Sequence, residues 1–120
     1  MSDPVVILLP LPTSVNAMFA DGRTRRVQSK KYKAWITEAG WDLARQRPCK
    51  CPGRVALLIE VREPPTRRAE DLDNRTKAVL DLLVEHRVIA DDSQHIIRRI
   101  VLEWSGQVEG VRITIEPWEK

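Results

Sequence analysis

Asp71, Asp73 and Asn74, then Lys77, then the pair Asp91-Asp92 concentrate acidic and basic side chains in one part of a chain whose formal net charge is +3. Arg67 and Arg68 stand just before them. Carboxylates grouped this way suit hard divalent cations: magnesium keeps several waters and needs only one or two carboxylates plus substrate phosphate. Two such ions about 3.5 to 4 Å apart stabilise the attacking and leaving oxygens of an in-line phosphodiester displacement. Lys77 falls one helical turn after Asp73 and offers an ammonium to the developing charge or to the leaving oxygen. Arg67 and Arg68 offer bidentate forks to flanking phosphates. The same residues also have an ordinary reading. Asp73 is a good helix cap, Asp73, Lys77 and Asp81 have the spacing of an ion-pair ladder, and Asp91-Asp92-Ser93 suits a plain loop. Spacing alone leaves both open.

The elements around these side chains decide whether they meet. Val5 to Leu9 reads as a buried strand, stopped by Pro10-Leu11-Pro12 because proline cannot donate to a sheet ladder. Residues 13 to 29 read as a loop, with a turn signal at Asp21-Gly22 and then the basic cluster Arg23, Arg25 and Arg26. Ser29 caps a helix to about Arg47, on which Tyr32, Trp35, Ile36, Ala39 and Leu43 fall at helical spacing. Gly40 weakens that helix and Pro48 ends it. Lys30, Lys31 and Lys33 occupy its first turns, where the dipole disfavours positive charge; an anionic ligand or a solvated helix end accounts equally for them.

Val55 to Val61 alternates as a half-buried strand. A second helix runs from near Asp73 to near Arg87, with Leu72, Thr76, Val79, Leu80 and Leu83 as its buried stripe. Ile96 to Trp104 reads as a strand with Ile96, Ile100, Leu102 and Trp104 on one side. The alternation of Val111, Ile113 and Ile115, after a turn at 105–110, completes a hairpin with it. The order β-α-β-α-β-β gives an α+β fold over residues 1–120, a single small domain with a mixed sheet and two helices packed on it. An extended segment after Pro65 sets Asp71 and Asp73 on one face. Asp91-Asp92 returns to the same place if the next strand starts beside the strand ending near Val61.

A length of 120 residues matches one domain, and 42% hydrophobic residues suffice for one core. The basic balance favours a nucleic acid or another polyanion as partner, with Arg23, Arg25, Arg26, Lys30, Lys31, Arg67 and Arg68 as the candidate DNA-binding set. The apolar run near the N-terminus is too short for a signal peptide or a membrane span, so a cytoplasmic protein is expected. Cys49 and Cys51 read as reduced loop thiols, since a bridge across one residue is strained and zinc needs two further ligands. Trp35 and Trp41 are expected in the core. Met18 or Phe19, beside the basic cluster, is a candidate wedge at a branch point or an anchor at a dimer seam.

Arg67-Arg68-Ala69-Glu70-Asp71-Leu72-Asp73-Asn74-Arg75-Thr76-Lys77, then Leu80-Asp81-Leu82-Leu83, then Val88-Ile89-Ala90-Asp91-Asp92-Ser93-Gln94 resemble the RusA-type crossover-junction endodeoxyribonucleases. Leu9 to Asn16 is similar to the proline-rich segment of that family, ending in Ser14-Val15-Asn16. The resemblance implies a Mg²⁺-dependent homodimer that resolves four-way (Holliday) DNA junctions in recombination and repair by paired symmetric nicks. It implies Asp71, Asp73 and Asp92 as metal ligands, Lys77 as the catalytic lysine, and Asp91, Asn74 and Asn16 as accessory positions. A substrate with two-fold symmetry cut twice suits a two-fold dimer. Ala69-Glu70 stand where relatives often carry further basic residues and Arg75 where they usually carry an apolar one, which predicts a phosphate grip that is weaker or partly moved to Arg75. The competing readings are a metal-dependent nuclease of other branched DNA and a non-catalytic DNA-binding module.

Overall fold

The computed structural model describes every residue except 1–2, 22–25, 66–68 and 119–120, and leaves the side chains of 20, 21 and 26 undescribed. Its strands and helices, in chain order, are β1 (Val5–Leu9), β2 (Phe19–Asp21), β3 (Arg26–Gln28), α1 (Lys30–Gln46), β4 (Val55–Arg62), α2 (Thr76–Glu85), β5 (Ile97–Ser105) and β6 (Val111–Pro117). Short 3₁₀ turns occupy Val15–Ala17 and Leu72–Arg75. The sheet order is β1-β6-β4-β5, with β4 and β5 parallel and the other pairs antiparallel. This is the expected α+β class with a mixed sheet. Among the described residues no helix is long and apolar enough to cross a membrane.

Register follows burial. Ile7 pairs with Ile113, Ile113 with Ile59, and Ile59 with Leu102, so one apolar row crosses the whole sheet. Ile7, Ile59 and Ile113 have no exposed surface. A slip of one residue would turn that row to solvent, and each fully buried Ile contributes roughly 1.5–3 kcal/mol. On this face pack Tyr32, Trp35, Ala39 and Leu43 of α1, and Ala78, Val79, Leu82 and Leu83 of α2. Ser29 caps α1 as predicted: its hydroxyl accepts from the Tyr32 N–H (3.1 Å) and donates to the Ala17 carbonyl (2.6 Å). Arg47, at φ 48°, turns the chain out of the helix before Pro48. Gly40 lies where α1 meets the end of α2: a Cβ there would stand 3.3 Å from His86 Nε2.

Four expectations fail. β5 and β6 are not a hairpin, because β4 lies between them. After Ser105 the chain crosses the end of β4, where Glu63 N–H bonds Ser105 O and Arg62 N–H bonds Gly110 O, and β6 enters the slot beside β1. Alternation identifies a strand but not its neighbour. Residues 13–29 are not all loop: a 3₁₀ turn and the β2–β3 pair lie within them. Trp41 is 73% exposed rather than in the core. The return of Asp91-Asp92 to Asp71 and Asp73 fails as well: β5 does run beside β4, but it starts where β4 begins. Ile97 opposes Val55 and Trp104 opposes Val61, since α2 has carried the chain back first.

At that same sheet end a backbone approach fixes the segment leaving β1. A Cβ on Gly110 would lie 2.1 Å from the Leu9 carbonyl oxygen and 2.8 Å from Leu11 N. Backbone cannot swing aside as a side chain does. Gly110→Ala is therefore expected to cost about 1–3 kcal/mol or more by overpacking, read as a lower urea midpoint at unchanged slope. A midpoint equal to the parent's would refute the close approach.

Candidate active site

The chain leaves β4 at Arg62 and reaches Asp71, whose extended backbone (φ −73°, ψ 137°) precedes the 3₁₀ turn Leu72–Arg75. The Asn74 N–H bonds the Asp71 carbonyl at 3.1 Å. Asp71 and Asp73 therefore do not alternate along one extended strand, as predicted, but flank the entry to a tight turn. Asp71 holds the capping position yet its carboxylate makes no cap hydrogen bond, and Asp73 is not the cap of α2. Both side chains are exposed. Immediately after them, Thr76 Oγ1 is buried with no hydrogen-bond partner among the described residues, a cost of about 1–3 kcal/mol.

Glu70 and Arg75 bracket this turn and close it. Arg75 Nε donates to Glu70 Oε1 at 2.6 Å and Nη2 reaches Oε2 at 3.4 Å, while Nη1 donates to the Pro12 carbonyl. Both side chains are mostly buried. Arg75 is thus committed to protein partners, and the predicted transfer of phosphate grip to it does not hold. Its carbonyl contact ties the acidic turn to the proline segment, which Trp35 Nε1 also holds through Pro10 O at 3.0 Å. Nothing in the spacing of Glu70 and Arg75 gave away the contact with Pro12, sixty-odd residues distant. Lys77 Nζ lies 3.1 Å from Asp81 Oδ1 on an exposed face, so that rung of the ion-pair ladder is present.

Asp91 and Asp92 belong to the other end of the sheet. Ile89 forms a parallel bridge with Cys51, and the Cys51 N–H bonds Val88 O at 2.8 Å, just ahead of β4. Arg75 and Pro12, by contrast, lie where β1 and β4 end. The ten residues of α2 separate the two acidic groups, a rise of about 15 Å. Among the described residues no three His, Cys, Asp or Glu side chains come close enough together to hold a metal. One copy therefore does not assemble Asp71, Asp73 and Asp92. The Asp92 N–H, and then the Ser93 hydroxyl, hold the Asp91 carboxyl below its usual pKa, so Asp91 shapes its own turn. Asp92 is exposed.

Among the basic candidates, Arg23, Arg25, Arg67 and Arg68 lie outside the described residues, and Arg26 begins β3. Lys30 and Lys31 are exposed on the first turn of α1. Lys31 lines an open cleft of about 610 Å³ with Pro12, Ser14, Glu38 and Arg75, beside the acidic turn. Asn16 is exposed on the neighbouring 3₁₀ turn. Met18 is fully buried, which removes it as a wedge; Phe19 is half-buried, edge-on to Tyr32 at 6.0 Å. Cys49 and Cys51 are free thiols. Burial first, and then Cys49, push the Cys51 thiol above its usual pKa.

The model of the family described as Endodeoxyribonuclease RusA matches residues 10–116, from the proline segment to the end of β6. The chain belongs to the RusA endodeoxyribonuclease family. No curated protein matches the chain. RusA-family nucleases are metal-dependent, act on branched DNA and are of the Holliday-junction-resolving type. In this RusA-family chain the clamp on the acidic turn is open to direct test. Arg75→Met should cost about 1.5–3 kcal/mol, the range for a hydrogen bond to a charged group, and Glu70→Gln less. The double variant should cost less than the two losses added together, by urea unfolding. Strict additivity would show that the pair does not act as a unit.

Proposed function

We propose that this protein is a homodimeric, magnesium-dependent resolvase that cuts four-way DNA junctions by paired symmetric nicks in recombination and repair. The observation that carries this reading is the acidic turn itself, in a chain matched by the family over nearly its whole length. Its two carboxylates are exposed and unused for capping, and it is fixed from both sides by Glu70 and Arg75. A purely structural acidic turn would spend Asp71 on the cap.

Asp71 and Asp73 fit a hard cation, which takes one or two carboxylates and fills its remaining positions with water and phosphate oxygens. Asp92 is the third ligand in this reading, and the separation along α2 supports its coming from the partner subunit. Magnesium bound there supplies Lewis-acid stabilisation of the phosphodiester. Lys77, one turn into the helix, presents its ammonium on the exposed side and is the candidate to steady the developing charge or protonate the leaving oxygen. Asn74 shapes the turn, Asp91 fixes the loop that presents Asp92, and Asn16 sits with the proline segment beside the cleft. Lys30 and Lys31, with Arg23, Arg25, Arg26, Arg67 and Arg68, are the phosphate contacts. Cytoplasmic residence follows from this substrate.

A mixing experiment tests the shared site. Asp71→Asn and Asp92→Asn homodimers should each bind a synthetic four-way junction and fail to cut it. When the two are unfolded and reassembled together, each heterodimer carries one site with both defects and one intact site. About a quarter of parental nicking should return, as single rather than paired nicks, since random pairing makes half the dimers mixed. No recovery would place all three carboxylates within one copy, and full cutting by Asp71→Asn would remove the metal assignment. Separately, Lys30→Gln/Lys31→Gln should lower the slope of log affinity against log salt by about 3.6 per dimer, since the two copies lose four phosphate contacts and each contributes about 0.9. An unchanged slope would exclude this helix end from the DNA surface.

A further inference from the structure

Lys77 has two acidic neighbours at helical spacing, Asp73 four residues before it and Asp81 four residues after. It takes the second. Its Nζ lies 3.1 Å from Asp81 Oδ1, and among the described residues no ion pair joins it to Asp73. On a regular helix the opposite choice is favoured. An acid one turn before a lysine pairs better than an acid one turn after it. The lysine side chain also leans toward the helix N-terminus, the end at which Asp73 stands.

Two features of the structure reverse that preference. Leu72–Arg75 is wound as a 3₁₀ turn, and its tighter winding rotates Asp73 off the helical row that Lys77 and Asp81 share. Asp81, for its part, is backed by the neighbouring helix. It stands where α2 meets α1, lining a cleft of about 360 Å³ with Tyr32, Ile36 and Leu82. Tyr32 is buried there, its ring 6.0 Å from Phe19 and 6.4 Å from Trp35. Burial first, and then the Asp81 charge, raise the Tyr32 phenol above its usual pKa. The carboxylate side chain is 36% exposed and the lysine 56%, so the acid is the fixed member of the pair and the ammonium the movable one.

We infer that Asp81 is a positioning residue: it holds the Lys77 ammonium away from Asp73 and so keeps that carboxylate open to the cation. The inference rests on the magnesium reading above and adds to it a residue that the acidic turn does not contain. An ammonium seated on Asp73 would neutralise the carboxylate that a hard cation needs and occupy the same oxygens. With Asp81 present, the lysine waits one helical turn further along. An exposed pair of this kind is weak, so a phosphate brought to the acidic turn can draw the ammonium across.

The test reads cation binding directly, by calorimetry of the full chain with magnesium alone at low salt, where exposed charge pairs are least screened. Asp81→Asn should weaken binding about twofold, the worth of one such pair. Asp81→Lys should weaken it about fourfold, since like charges at that spacing repel by a similar amount. Asp81→Glu should restore the parental value. In a Lys77→Met background Asp81→Asn should cost nothing further, because no ammonium is left to hold. The magnesium concentration for half-maximal nicking of a four-way junction should follow the same order in the variants that keep Lys77. Binding by Asp81→Asn as tight as the parent's overturns the inference. An equal loss with Lys77 absent overturns it too, because Asp81 then acts by its own charge. Either result leaves the resolvase reading standing, whereas undiminished magnesium binding by Asp71→Asn/Asp73→Asn overturns the metal assignment itself.

Discussion

Parallel strands cannot be joined by a tight turn; the chain must leave one end of the sheet, cross its face and re-enter at the other. In this protein the β4–α2–β5 crossover imposes that rule on the residues that matter most. The acidic turn opens α2 where β4 finishes, and the Asp91-Asp92 loop follows α2 where β4 begins. The hydrophobic stripe that fixes α2 on the sheet, Ala78, Val79, Leu82 and Leu83, thereby fixes the distance between the two acidic groups. No rotamer change spans it.

The acidic turn is also held from a direction the crossover does not supply. Gly110 lets β6 begin against the Leu9–Leu11 backbone, Trp35 anchors the Pro10 carbonyl, and Arg75 takes the Pro12 carbonyl and the Glu70 carboxylate together. Each contact is between segments far apart in the chain, and the three converge on one short proline-rich stretch. Proline has few unfolded conformations to lose, so a proline-rich strap is an economical brace for a turn that must present charge. Glu70 and Arg75 together leave the local net charge unchanged, which suits a brace better than a phosphate grip.

Much of this was legible from periodicity. Tyr32, Trp35, Ala39 and Leu43 declared α1, and Ser29 its cap, because one face of one helix had to be buried. The alternation in Val55–Val61 and Val111–Ile115 declared two strands. What alternation cannot encode is adjacency: β6 has the pattern of a strand that pairs with β5, yet it inserts beside β1. The direction of β5 was hidden for the same reason. At the candidate site the residues themselves were readable from D-L-D-N and the distant Asp-Asp, whereas the 3₁₀ conformation at Leu72–Arg75 was not, since Leu-Asp-Asn-Arg suits a strand end and a turn alike. The Glu70–Arg75 clamp looked like two misplaced charges because its third member, Pro12, is contributed by tertiary structure. Trp41 misled because its size suggests burial while its helix position faces solvent.

Local rules are broken most densely around the proline segment and the acidic turn. Asp71 stands at a cap position without capping, the Thr76 hydroxyl is buried without a partner among the described residues, and three lysines occupy the positive end of α1 with no acidic residue in its first turn. Each is a small cost that a sequence selected for stability alone would remove, by a capping Ser, a Val, or a Glu. Elsewhere the same chain follows those rules closely: Ser29 caps, Gln46 closes an edge, and Glu60 and Arg112 pair through two 2.8 Å hydrogen bonds. Conflict concentrated in one region is what a functional site leaves behind. Exposed carboxylates and helix-terminal lysines with no acidic partner among the described residues are consistent with the proposed reading, in which cations meet the first and phosphates the second.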